Sequence, residues 1–228
     1  MKMKDILHRF PHLSEQIFQK LDSESLLKCR EVSNSWQNVI DGRNYPWLHI
    51  VNIPTILKNG NNYIHLAAKT GQIEPFKTTL TETEYLSINE GGETPFLLAC
   101  KNGHLKIVKL ILKNLKTALE VLKGTGFEIN YILDYVGTYI NSQNKYGNTA
   151  LHLACIRGLS DVVKILMEDG AVLDIYPNTK NNCHQTAFLL ACQKGHINVA
   201  KIFIEYASTL NIDLNAKTKK GNTAFHLA

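Results

Sequence analysis

Residues Gly147 to Ala171, GNTALHLACIRGLSDVVKILMEDGA, have four partial copies elsewhere in the chain, and this self-similarity constrains the fold more than any other feature. Aligned on one position, the copies begin at Gly60, Gly92, Gly147, His184 and Gly221, in steps of 32, 55, 37 and 37 residues. A unit this short cannot bury its apolar face alone. Stacking similar neighbours buries it, so the expected product is an array with an extended surface suited to binding. Three steps share one period, and the 55-residue step carries an insertion of about 22 residues, near 113–143.

The residues of one unit explain how each copy folds. Thr94, Thr149, Thr186 and Thr223 stand where a hydroxyl caps the free amides of a helix start, and Pro95 follows at the first helical position, where it needs no donor. A short helix rich in Leu and Ala follows. It ends at Gly71, Gly103, Gly158 or Gly195, residues able to take a left-handed turn. A second helix has apolar residues at helical spacing: Leu105, Val108, Leu110 and Ile111, or Val162, Val163, Ile165 and Leu166.

With these features the chain resembles the ankyrin-repeat family over roughly residues 56–228. The resemblance implies two antiparallel helices per repeat, hairpin fingers between repeats and recognition on the concave side. Departures are Asn62-Tyr63 for the usual Thr-Pro, Leu97 and Leu189 for His, and His184 for Gly. The sequence stops at Ala228 inside the first helix of the fifth copy, so the array is expected to continue beyond it.

The stretch Phe10 to Ile40 has a different pattern. Leu13, Ile17, Phe18 and Leu21 form a helical stripe, Asp22 to Ser25 supply a cap, and Leu26 and Leu27 open a second helix before Val32, Trp36, Val39 and Ile40. This segment resembles an F-box through Pro11, the Ile17-Phe18 pair, Leu21, Asp22, Leu26-Leu27, Val32 and Trp36. The resemblance implies docking onto the Skp-type adaptor of a cullin-RING ubiquitin ligase through Pro11, Leu13, Ile17, Leu26, Leu27, Val32 and Trp36. A helical cap shielding the first repeat is the alternative reading of the same apolar residues.

The expected organisation is therefore all-α: an F-box-like bundle at 1–42, a packed junction at 43–55 and ankyrin repeats at 56–228. The junction contains Tyr45, Trp47, Leu48, Ile50 and Val51 and lacks the Gly/Ser character of a flexible tether. No apolar run approaches the roughly 18 residues of a membrane span, and the N-terminus lacks a secretory signal, which points to an intracellular protein. Five cysteines, an odd number, argue against a disulfide framework. Cys100, Cys155 and Cys192 share one repeat position and read as small core residues, whereas Cys29 and Cys183 lie off the repeat core.

The ankyrin alignment implies that Lys69-Thr70, Lys101-Asn102, Ile156-Arg157 and Gln193-Lys194 face the groove, with Lys145, Tyr146, Lys180, Lys217, Lys219 and Lys220 on fingers. Such a groove favours an acidic protein surface; an ordinary solvated Lys-rich face is the alternative. The net charge of +5 does not indicate nucleic acid, and Tyr146 is the one aromatic residue available there for base stacking. In the insertion, LKNLKTALEVLK extends the second helix of repeat two, Gly124 to Gly126 break it, and FEINYILDYVGTYI forms another helix near the finger edge. Tyr131, Tyr135 and Tyr139 share a face of that helix and serve either packing, the favoured reading, or partner contact.

Catalysis is not expected. Cys155 lies near His152 in sequence, but His65, His152 and His226 recur at a capping position, and His104 and His196 follow turn glycines. Periodic placement fits structure better than one active site, and no phosphate loop, nucleophile elbow or paired-carboxylate motif occurs. No metal, cofactor or homo-oligomer is expected. The implied function is substrate reception for the ligase. An ankyrin scaffold or inhibitor with a capped N-terminus, or a decoy that occupies the adaptor, remain as alternatives.

Overall fold

The computed structural model describes residues 60–77, 87–123 and 136–227. The residues expected to meet an adaptor, Pro11 to Trp36, the expected junction at 43–55, Tyr131 and Tyr135 lie outside the described residues. The regular elements of the described residues are helices: α1 Tyr63–Thr70, α2 Glu74–Lys77, α3 Pro95–Asn102, α4 Leu105–Lys123, α5 Ala150–Ile156, α6 Ser160–Glu168, α7 Gly170–Leu173, α8 Ala187–Gln193, α9 Ile197–Glu205 and α10 Ala224–Leu227. Residues 136–140 add a further helical turn.

These helices form two layers. The inner layer stacks α1, α3, α5, α8 and α10 in chain order, and the outer layer stacks α2, α4, α6 and α9. Inner helices have small buried residues where they meet, Ala67, Ala68, Ala99, Ala154 and Ala191, which let neighbouring axes approach closely. Outer helices cover them with larger side chains, among them Ile107, Ile111, Leu166 and Phe203. The result is one continuous core with a contribution from every repeat, as the sequence period requires.

Glycine sets both boundaries of a repeat. Gly71, Gly103, Gly158 and Gly195 follow the inner helices with φ between 67° and 83°, so each turn into the outer helix is left-handed. A second set begins the repeats: Gly60, Gly92, Gly147 and Gly221 have φ of 70°, 69°, 74° and 81°. His184, at the same position in repeat four, holds φ 59° despite its Cβ.

The insertion packs into the array and does not project from it, as far as its residues are described. Helix α4 runs 19 residues against nine in α6 and α9, as the sequence implied, and Lys116 on it pairs with Asp169 at 2.7 Å. Val136, Tyr139 and Ile140 are buried, and the Tyr139 ring lies 5.8 Å from that of Phe96. Tyr139 thus packs. Apolar spacing on this second segment turns it back onto repeat two, and Asn141 fastens its end by donating to the Asp174 carbonyl and accepting from the Tyr176 amide.

Candidate interaction surface

The fingers are built on a turn of the form Asn-x-x-Gly. Asn89 Oδ1 accepts from the amides of Gly91 and Glu93, Asn144 Oδ1 from Tyr146 and Asn148, and Asn181 Oδ1 from Cys183 and Gln185, all at 2.9–3.0 Å. In repeat five Thr218 stands in this place, and its hydroxyl accepts from Asn222. Neighbouring fingers join through their backbones: Lys145 donates to Gly91 at 2.9 Å, and Asn182 donates to Tyr146 at 3.1 Å. Side chains add rungs, with Asn89 Nδ2 donating to Asn61 and Asn181 Nδ2 to Asn148, both at 3.0 Å. Sequence reasoning missed these asparagines. The signal was present as an Asn three residues ahead of Gly92, Gly147 and His184.

Histidines tie alternate fingers to the helix before them. His152 Nε2 donates to the Gln185 carbonyl at 3.0 Å, and its Nδ1 receives the Thr149 amide at 3.2 Å and the Thr149 hydroxyl at 2.8 Å. A carbonyl only accepts, so the proton of the neutral ring sits on Nε2. His65 repeats the arrangement onto Glu93, with Asn62 in place of Thr. Burial pushes both imidazoles below their ordinary value, against the opposing pull of those carbonyls. His104 and His196 follow turn glycines and donate back to the carbonyls of Lys69 and Ile156. Leu97 and Leu189 occupy the His65 and His152 position in repeats two and four and are fully buried, so the tie alternates along the array.

These contacts leave no reactive centre at Cys155. Burial raises its thiol well above the usual range, and Cys100 likewise, so neither supplies a thiolate; Cys192, half-buried, is raised by the same cause. His152 is already engaged at both nitrogens. Among the described residues no three His, Cys, Asp or Glu side chains are grouped to hold a metal ion, and no helix is long and apolar enough to cross a membrane.

The groove residues divide into two sets. Lys69, Arg157, Gln193 and Lys194 are exposed at or just past the ends of inner helices, and Lys145, Tyr146, Lys180 and Lys219 are exposed on fingers. Tyr146 is 60% exposed with the Lys145 ammonium 5.3 Å from its ring centroid. Three residues have partners within the array. Lys101 pairs with Glu93 at 2.7 Å, Asn102 donates to the Leu98 carbonyl, and Gln193 accepts from Gln185 at 2.9 Å. Lys101 is therefore neutralised in place and adds little positive field to the groove. The Glu93–Lys101 and Gln185–Gln193 pairs both span eight residues, because the finger base folds over the end of its own helix.

A layered helical array with backbone-linked fingers and exposed polar tips is a binding scaffold. Comparison with known proteins agrees. Residues 46–122 and 64–176 match ankyrin repeats (3 copies), together more than half of the chain, and residues 7–48 match the F-box domain. The chain belongs to the ankyrin-repeat family and carries an F-box domain ahead of the array. Both are protein-interaction modules.

Similar proteins include the mouse (Mus musculus) serine/threonine-protein kinase TNNI3K, 30% identical over 105 residues, which cover 39% of this chain and 12% of the kinase. Ankyrin repeat-containing protein F37A4.4 of Caenorhabditis elegans is 60% identical over 35 residues, covering 15% of this chain and 3% of that protein. Mouse synphilin-1 is 26% identical over 136 residues, covering 50% of this chain and 14% of synphilin-1. The chain thus spans a small part of the length of these curated relatives.

Proposed function

We propose that this protein is a substrate-recognition subunit of a cullin-RING ubiquitin ligase, acting inside the cell. Its F-box docks on a Skp-type adaptor and its ankyrin groove holds a protein substrate. The observation that carries the reading is the presence of an F-box match at 7–48 in the same chain as the array. The protein forms no covalent bond itself. It raises the local concentration of substrate beside the ubiquitin-carrying enzyme, and a stacked array suits that role because it presents its groove in a fixed geometry. Pro11, Leu13, Ile17, Leu26, Leu27, Val32 and Trp36 are the residues assigned to the adaptor.

Co-expression with a Skp-type adaptor followed by size-exclusion chromatography tests this. The full chain should elute as a complex, and the Leu26→Ala, Leu27→Ala, Trp36→Ala variant should elute alone while its array still melts cooperatively. Absence of a complex with the unaltered chain would reduce the N-terminus to a helical cap on a scaffold. If a complex forms but overexpression stabilises the ligase's other substrates, and no groove-bound protein is lost faster, the protein is a decoy.

A further inference from the structure

We infer that the substrate-holding surface is polarised, and that fingers three to five, with the helix ends of repeats three and four, receive an extended acidic segment of the partner protein. This rests on the proposed role of the array in holding substrate. The turn asparagines (Thr218 in repeat five), turn glycines (His184 in repeat four) and inner-helix alanines are committed to the fold, whereas four surface positions are free to vary. In repeat two these are Ile88, Glu90, Gly91 and Asn102. Repeat three has Gln143, Lys145, Tyr146 and Arg157, and repeat four has Lys180, Asn182, Cys183 and Lys194. Repeat five has Lys217, Lys219 and Lys220 at the three of these positions on its finger.

At equivalent positions the charge is therefore negative in repeat two (Glu90), equally positive in repeats three and four (two cations each) and most positive in repeat five (three lysines). All of these cations are exposed. Among the described residues none has a carboxylate within ion-pair distance, in contrast to Lys77, Lys101 and Lys116, which pair with Glu74, Glu93 and Asp169. The exposed carboxylates Asp161, Glu168 and Glu205 sit on the outer helices α6 and α9, Asp174 accepts from the Tyr176 hydroxyl, and Asp213 accepts from the Asn215 amide. Unpaired cations of one sign along one edge attract a partner of opposite sign and set its direction.

The spacing favours an extended chain. Repeats stacked about 10 Å apart place fingers three and five about 20 Å apart, the length of roughly six extended residues. Tyr146 offers an apolar ring at one end of that track, already flanked by Lys145.

The test is fluorescence anisotropy of the full chain with a labelled alternating Glu-Ser peptide of about ten residues. A Lys-Ser peptide and a single-stranded oligo-uridine of the same length serve as comparisons. The Glu-Ser peptide should bind and weaken with added salt, and the Lys-Ser peptide should not bind. A K145E/K180E/K219E variant with an unchanged melting profile should bind at least about ten-fold more weakly, Lys69→Glu should change binding less than about two-fold, and Glu90→Lys should tighten it. The inference is overturned if the parent chain ignores the Glu-Ser peptide, if the triple variant binds as the parent does, or if the oligonucleotide binds more tightly than the peptide. Adaptor docking plays no part in this readout, so it and the ligase assignment fail separately.

Discussion

Replacing His184 with glycine should stabilise the array. His184 holds φ 59° at a position where Gly60, Gly92, Gly147 and Gly221 hold 69° to 81°, and its amide makes the same turn bond, to Asn181 at 2.8 Å. A left-handed residue bearing a Cβ costs about 1–2 kcal/mol, and histidine belongs near the lower end because it is enriched in this region. Glycine takes back about 0.5 kcal/mol through its greater freedom in the unfolded chain. The net gain is about 0.5 kcal/mol, which for a chain of this size is about 1–2 °C in Tm. Two alanine variants bound the reasoning. At Gly147 a Cβ would lie 2.7 Å from the Asn182 backbone nitrogen and 2.5 Å from its Oδ1, so Gly147→Ala adds a clash to the backbone strain and displaces the inter-finger bond. At Gly221 a Cβ meets nothing within 4 Å, so only backbone strain applies. Gly147→Ala should lose about 2 kcal/mol and Gly221→Ala less than about 1 kcal/mol. Urea melts followed by circular dichroism measure all three. A His184→Gly protein no more stable than its parent, or equal losses at 147 and 221, would refute the argument.

Acid should weaken the array through two buried imidazoles. Burial holds His65 and His152 below their ordinary 6.5, so the unfolded chain binds more protons between that value and the lower folded value, and stability falls as pH drops through this window. Tm should decline from pH 7.5 to pH 5, and the decline should be shallower in a His65→Leu, His152→Leu protein, since Leu97 and Leu189 fill the same position in other repeats. Asn144→Ala should cost about 1–3 kcal/mol by leaving the Tyr146 and Asn148 amides without their acceptor. Asn144→Asp keeps an accepting oxygen and should recover at least half of that loss in the same urea melts. Phe203→Ala, which empties a fully buried position beside the Phe188 ring, should cost about 3–5 kcal/mol and broaden the transition of repeat four.

The layered fold was legible because its causes are local and repeated. A threonine cap, a small-residue helix and a left-handed glycine occur at fixed offsets, so a single unit read correctly predicts its neighbours. The groove was less legible because its chemistry depends on pairs set by tertiary folding. Lys101 looked free in sequence since Glu93 is eight residues away, which is not a helical neighbour spacing; only the finger's return over α3 joins them. The finger asparagines were passed over because a polar residue among lysines and glycines reads as loop, and nothing local reveals that its oxygen closes the turn. Asp174 and Asn211, 37 residues apart with φ 55° and 50°, form a recurring left-handed turn after α7 and α9 that no glycine marked.

The alternation of histidine and leucine along the inner layer makes the joints between repeats unequal in kind. Some carry a histidine bond to the next finger, and the others place leucine there and keep only the remaining links, such as Lys145 to Gly91 and Lys116 to Asp169 after repeat two. Hydrogen bonds resist sliding, whereas apolar surfaces in contact resist separation but permit small rotations. Any bending of the array should therefore concentrate at the leucine joints, after repeats two and four, while the repeat pairs that histidine ties together move as units.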